Sequence, residues 1–160
     1  CGDTDIAIIC GNQVEDPLFK KFSLLKSNYY FIMPKDHPLK TKELITWEDI
    51  IDCPIVTFTD SFQLYHTIMD SFHHLGKSPD IRMTSDQPDL LLQVAAENGW
   101  CTLWGDPPTK QDLIDNSMTC ARMEVAHEFS LLRRNEAFSS QAEQAFMEFV
   151  KEKWPKYKNS

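Results

Sequence analysis

Apolar and polar positions change their period several times along the chain, and each change marks an element. Residues 5–10, DIAIIC, form a near-continuous apolar run of strand length, the pattern of a strand covered on both faces. Residues 21–27 alternate, with Phe22 and Leu24 on one side, and predict a half-buried strand. Residues 29–33, YYFIM, predict the next strand, stopped by Pro34, which brings no N–H to a sheet ladder. With Pro38 close behind, residues 34–39 read as a surface turn where the chain leaves one sheet for another.

Thr46 to Asp49, TWED, has the spacing of a short capping box. Residues 54–58 predict a strand. Asp60 or Ser61 is then placed to cap a helix carrying Leu64, Tyr65, Ile68, Met69, Phe72 and Leu75 at helical spacing, with Gly76 as its stop. Residues 80–84 alternate as a strand. Ser85 or Asp86 opens a second helix through LLLQVAAEN, stopped by Gly99, and WCTLW follows as a buried strand. A short amphipathic piece at 111–115 leads to strands near 118–123 and 128–133. A last helix is expected from a Ser140 cap to Trp154, with Ala142, Phe146, Phe149 and Val150 facing inward and Pro155 ending it. Strands alternating with helices predict an α/β fold with a largely parallel sheet. Two long β crossings, at 28–33 and 118–127, predict two lobes joined by a hinge.

Composition narrows the function. A formal net charge of −8 argues against this chain gripping a phosphate backbone by itself, because that grip is supplied by Lys and Arg. No apolar run reaches a membrane span, and no charged stretch followed by an apolar one opens the chain. The five cysteines are scattered without a C-x-x-C pair, a usage that fits a reducing cytoplasm. No nucleophile has a local catalytic signature and no acid–base pair is evident, so no enzyme chemistry is assigned. His66, His73 and His74 are the one histidine group resembling a metal site, and their spacing reads better as structural. No metal or cofactor is expected.

Several pieces, in order, resemble the effector-binding domain of LysR-type transcriptional regulators. They are GDTDIAII at 2–9, HPL at 37–39, TWEDIIDCPIV at 46–56, F-x-x-x-G-x-x-P at 72–79, LLQVAAENGWCTLW at 91–104, and SLLRR at 130–134 before the last helix. The resemblance implies a periplasmic-binding-protein-like (type II) pair of α/β lobes clasping a small ligand. Residues 1–30 and 128–160 would form a partial first lobe, and 31–127 the second lobe with its hinge strands. It implies further that the DNA-binding winged helix-turn-helix and the start of the first lobe are absent here. An incomplete first lobe is expected to leave apolar side chains of the first strand or last helix uncovered, favouring self-association.

The function implied is that of a cytoplasmic ligand sensor. It would bind a small-molecule effector, anions being among the candidates, touch DNA only through the absent N-terminal domain, and act as a homo-oligomer away from membranes. Ligands in open α/β sheets lie beyond the carboxyl ends of strands, against helix N-termini. The resemblance carries effector contacts onto Cys10 and Asn12, onto Thr59, Ser61, Phe62 and Gln63, and onto Trp104 and Asp106 in the segment closing WCTLW. The family's usual glycine and proline are here Glu97 and Trp104, implying a bulkier wall. Two alternatives are an enzyme on a related fold and a thiol-based redox sensor. The segment where peroxide-sensing relatives carry cysteines, between Cys53 and Cys101, has none.

Overall fold

The computed structural model describes residues 6–11, 16–135 and 141–157. It contains β1 (Ile6–Cys10), β2 (Phe19–Pro34), β3 (Leu44–Ile45), β4 (Pro54–Thr57), α1 (Gln63–His74), β5 (Asp80–Thr84), α2 (Pro88–Asn98), β6 (Cys101–Trp104), α3 (Lys110–Asp115), β7 (Met118–Arg134) and α4 (Gln141–Tyr157). Short 3₁₀ turns lie at Pro38–Thr41 and Glu48–Ile50. The chain divides into two compact units, residues 1–26 with 127–160, and residues 27–126.

In the second unit the sheet is mixed. β4 runs parallel to β5 and to β6, β2 is antiparallel to β6, and β3 is parallel to β7. Both faces of this sheet are covered. Phe31, Ile55 and Leu103 join Ile50 and the α1 residues Leu64, Ile68 and Phe72 in one core. Ile32 and Val56 point the other way, onto Leu91, Leu92 and Ala95 of α2. Adjacent strand residues alternate between two cores, which is why YYFIM and PIV are apolar throughout rather than at every second position.

Helix ends follow local chemistry. Gly76 takes φ +68 after α1; its N–H donates to His73 O at 2.9 Å, and the Lys77 N–H donates to Phe72 O at 3.0 Å, the paired bonds that close a helix through a left-handed residue. Gly99 ends α2 likewise at φ +67. Thr109 and Asp112 form a reciprocal capping box on α3. At TWED only half of such a box exists. The Asp49 carboxylate accepts from the Thr46 N–H at 2.8 Å, while the Thr46 hydroxyl donates to the same carboxylate. Lys42 Nζ completes its shell at 2.6 Å, holding the carboxyl below its usual range.

In the first unit β1 pairs antiparallel with β7, from Ile6↔Arg133 to Cys10↔Phe129. Its core joins Leu24, Leu131 and Met147, with Ile6, Phe22, Phe129 and Val150 against them. Lys21 and Glu128 form an ion pair at 3.0 Å.

Several expectations change. The two strands expected at 21–33 are one, β2, and those at 118–133 are one, β7, because the backbone ladder continues through Ser27–Asn28 and Glu124 to Ala126 whatever their side chains. The turn at 34–39 does not lead from one sheet to another, because β2 before it and β3 and β4 after it belong to one sheet. β1 is not covered on both faces, since Ala7 and Ile8 are exposed. Among the described side chains of α4, Met147 is buried and Val150 packs on the same core as expected, whereas Ala142, Phe146 and Phe149 are exposed. The helix also continues past Pro155 to Tyr157. Ser140 lies outside the described residues.

Candidate ligand-binding site

The parallel strands β6, β4 and β5 of the second unit end on one side, and their carboxyl ends carry the polar loops. After β4 the chain turns, with the Phe62 N–H donating to Thr59 O at 3.0 Å, and α1 starts at once. Its N-cap is Phe62, not Asp60 or Ser61, and no side chain caps its first turn. Asp60 is instead drawn off by its carbonyl, which accepts from His66 Nε2 at 2.7 Å. An uncapped first turn presents backbone N–H groups and the positive end of the helix dipole.

The hydroxyls are used differently from a cap. Thr59 Oγ1 donates to the Asp86 carboxylate, beyond the end of β5. With its one proton so used, Thr59 accepts from Ser61 Oγ, 2.7 Å away. The result is a directed chain, Ser61 to Thr59 to Asp86, that ties the β4 and β5 loops together. The Ser85 N–H donates to Thr57 O at 3.1 Å and reinforces the tie. α2 also starts without a side-chain cap, after Gln87, whose N–H donates to Ser85 Oγ.

Apolar walls and orphan donors complete the site. The Phe58 and Phe62 rings stack tilted with centroids 4.7 Å apart. Phe58 and Trp104 pack on the same α2-side core. Trp104 Nε1 and Thr57 Oγ1 are buried without a hydrogen-bond partner among the described residues. Unsatisfied buried donors are costly, and these two lie in the strands that end at the loops.

Thr59, Ser61, Phe62 and Gln63 are thus gathered at one helix start, and Trp104 and Asp106 stand at the end of the neighbouring strand β6. Cys10 is the last residue of β1, in the first unit. Asn12 lies outside the described residues. Asp86 was missed by sequence reasoning, because its partner stands 27 residues away across a parallel strand pair. Two of the three histidines weighed as metal ligands serve the backbone instead: His66 donates to Asp60 O and His74 to Asp70 O. A different set, His37, Cys53 and Cys101, converges elsewhere in the second unit.

Comparison with known proteins follows the same lines. The profile of the LysR substrate binding domain matches residues 1–155. The chain is 28% identical over 90 residues to the HTH-type transcriptional regulator cbl of Klebsiella aerogenes, covering 56% of this chain and 28% of that protein. It therefore spans about a quarter of the length of the curated relatives it matches. Among solved structures, the effector binding domain of QuiR in complex with shikimate superposes with a TM-score of 0.71 at 19% identity, over 95% of this chain and 72% of that one. HinK, a LysR family transcriptional regulator from Pseudomonas aeruginosa, gives 0.73 at 14% identity, over 94% and 53%. At these identities the structures speak for the fold, a periplasmic-binding-protein-like α/β architecture.

Proposed function

The chain belongs to the LysR substrate-binding domain family, and from that premise we propose that it is the ligand-sensing part of a transcriptional regulator. The two compact units are its two lobes. A small-molecule effector, held partly by an anionic group, docks at the loops ending β4, β5 and β6. The observation carrying this reading is the uncapped start of α1 beside the Ser61–Thr59–Asp86 chain. Helix N-termini of this kind bind carboxylates and phosphates, and the dipole makes anions favourable there. Shikimate on the QuiR domain is a carboxylate, which fits the same chemistry.

Gln63, Ser61 and Thr59 supply side-chain contacts, Phe62 and Trp104 the apolar walls, and Asp106 a polar edge. Asp86 keeps the Thr59 hydroxyl oriented, and its charge selects against ligands presenting an anion on that side. Cys10 and Asn12 remain proposed effector contacts on the family resemblance alone. Binding acts by favouring one of two conformations of the domain, and the difference is passed to a DNA-binding segment of a longer chain. The protein works in the cytoplasm, and among the described residues no helix is long and apolar enough to cross a membrane. Homo-oligomerisation is supported by Ile8, Phe146 and Phe149, exposed in the first unit. No residue is given a catalytic role.

A thermal-shift screen against cellular carboxylates and phosphates tests this. A compound that stabilises the chain, but not Gln63→Ala or Ser61→Ala, supports the site. Stabilisation retained in both variants, or turnover of the compound, overturns it.

A further inference from the structure

Three soft donors from three separate segments meet in the second unit. His37 precedes the 3₁₀ turn at Pro38–Thr41 and caps it, its Nδ1 accepting from the Leu39 N–H at 3.2 Å. That bond turns Nε2 toward Cys53, whose Sγ lies 3.8 Å away. Cys53 stands just ahead of β4, half-buried. Cys101 opens β6 and is 1% exposed. Nε2 and the two sulfurs all lie within 4.8 Å of one another, and no other His, Cys, Asp or Glu set among the described residues converges in this way.

The spacing distinguishes two chemistries. A disulfide needs Cα atoms within about 7 Å. Cys101 pairs with Ile55 across parallel strands, which sets Cys53 two residues off register. One strand spacing and two residues of rise give roughly 8 Å between those Cα atoms. A tetrahedral metal, by contrast, holds sulfur at about 2.3 Å and imidazole nitrogen at about 2.0–2.1 Å, so its donors stand roughly 3.5–3.8 Å apart. The measured His37–Cys53 separation already lies on that edge.

We propose that His37, Cys53 and Cys101 form a binding site for one thiophilic divalent metal ion of the Zn²⁺ class. Two thiolates neutralise the ion, which suits a site walled by Phe31 at its edge-on contact with His37 and by the α1-side core. Thiolates and imidazole are the soft and borderline donors that select such ions. The fourth position is left to water or an exogenous ligand on the half-open side of His37 and Cys53. Both thiols give up their protons to solvent on binding. The imidazole gives up the Nε2 proton and takes one on Nδ1, releasing the Leu39 amide. The ion thereby links the 3₁₀ turn, the lead-in to β4 and the start of β6.

The test uses the reduced, metal-free 160-residue chain titrated with Co²⁺. One equivalent should bind with thiolate-to-cobalt charge-transfer absorption and be displaced by one equivalent of Zn²⁺. The Leu39 amide resonance should move as its hydrogen bond is lost. Cys53→Ser should remove about half of the charge-transfer intensity, and His37→Gln should weaken binding at least tenfold. Cys1→Ser and Cys120→Ser should leave both unchanged. Because Cys101 is in the core, Cys53→Ser and His37→Gln are the deciding variants, each compared with the parent by thermal melting. Equal charge transfer and affinity in those two folded variants, or none in the parent, overturns the proposal.

Discussion

Thr59 is the residue on which the candidate site turns, since it accepts from Ser61 and donates to Asp86. Thr59→Val keeps the shape and removes both bonds, leaving an exposed carboxylate that water can solvate. The expected loss of stability is about 1 kcal/mol, in the range for a single hydrogen bond. The expected loss of effector affinity is about tenfold, equivalent to about 1.4 kcal/mol. Calorimetric titration with a stabilising ligand checks it; unchanged affinity would remove Thr59 from the site. The neighbouring hydroxyls were legible from sequence because a polar cluster between a strand and a helix is a local signal. Asp86 and the His37–Cys53–Cys101 set were not, since each is assembled by strand pairing between segments remote in the chain.

Asp49 gives the pH dependence a sign. Hydrogen bonds from Lys42, and next from the Thr46 N–H, depress its folded-state pKa. A depressed carboxyl contributes stability above the ordinary value of about 3.9, and that contribution is lost as pH falls through the folded value. Asp49→Asn should therefore destabilise the chain at pH 7, by no more than about 1 kcal/mol because the pair is screened by solvent. The gap from the parent should be full at pH 7 and close as pH falls below the ordinary carboxyl value of about 3.9. Urea melts at pH 7 and below that value decide it, and a gap that widens on acidification would contradict the assignment.

At the scale of elements, the best-read pieces are those whose signals are local. α1 has apolar residues at helical spacing and a glycine at its stop, and the structure buries Leu64, Ile68 and Phe72 and puts Gly76 at positive φ. A Cβ added at Gly76 or at Gly99 would meet nothing within 4 Å. Any cost of Gly76→Ala or Gly99→Ala is thus one of backbone conformation, about 1–2 kcal/mol each, with Asn costing less at either position. Parallel denaturation of the Ala and Asn variants separates this from a packing effect, which would penalise the larger Asn more. Phe72→Ala removes a fully buried ring from the α1-side core and should cost about 3–5 kcal/mol by the same measurement. β2 and β7 were misread because a strand's ladder is made by backbone groups. Lys26, Ser27 and Asn28 look like a break in side-chain pattern, yet the strand runs through them, and Asn28 Nδ2 donates to Met123 O at 3.1 Å.

For the whole molecule, the α/β class was visible in the alternation of periods, and the family resemblance already implied a first lobe with uncovered apolar side chains, as Ile8, Phe146 and Phe149 are. The second unit has a core on each face of its sheet. The first, among the described residues, centres on Leu24, Leu131 and Met147, with Ile8 and Phe149 more than half exposed. Buried apolar area is the main term that offsets conformational entropy, so the first unit should open at lower free energy. Amides of Ile8 to Cys10 and Phe129 to Leu132 should exchange at least tenfold faster than those of Ile55 to Thr57 and Thr102 to Leu103. The long strands β2 and β7 belong to both units, so protection should fall along each toward the first unit rather than step abruptly. A ligand at 100 times its Kd adds about 2.7 kcal/mol to whatever cooperative unit holds it. If the effector is bound mainly by the loops ending β4, β5 and β6, that gain should appear in the second unit's amides and leave β1 exchanging as before. If β1 gains equal protection, those loops are not the effector's main site. Uniform protection without ligand would refute the unequal cores.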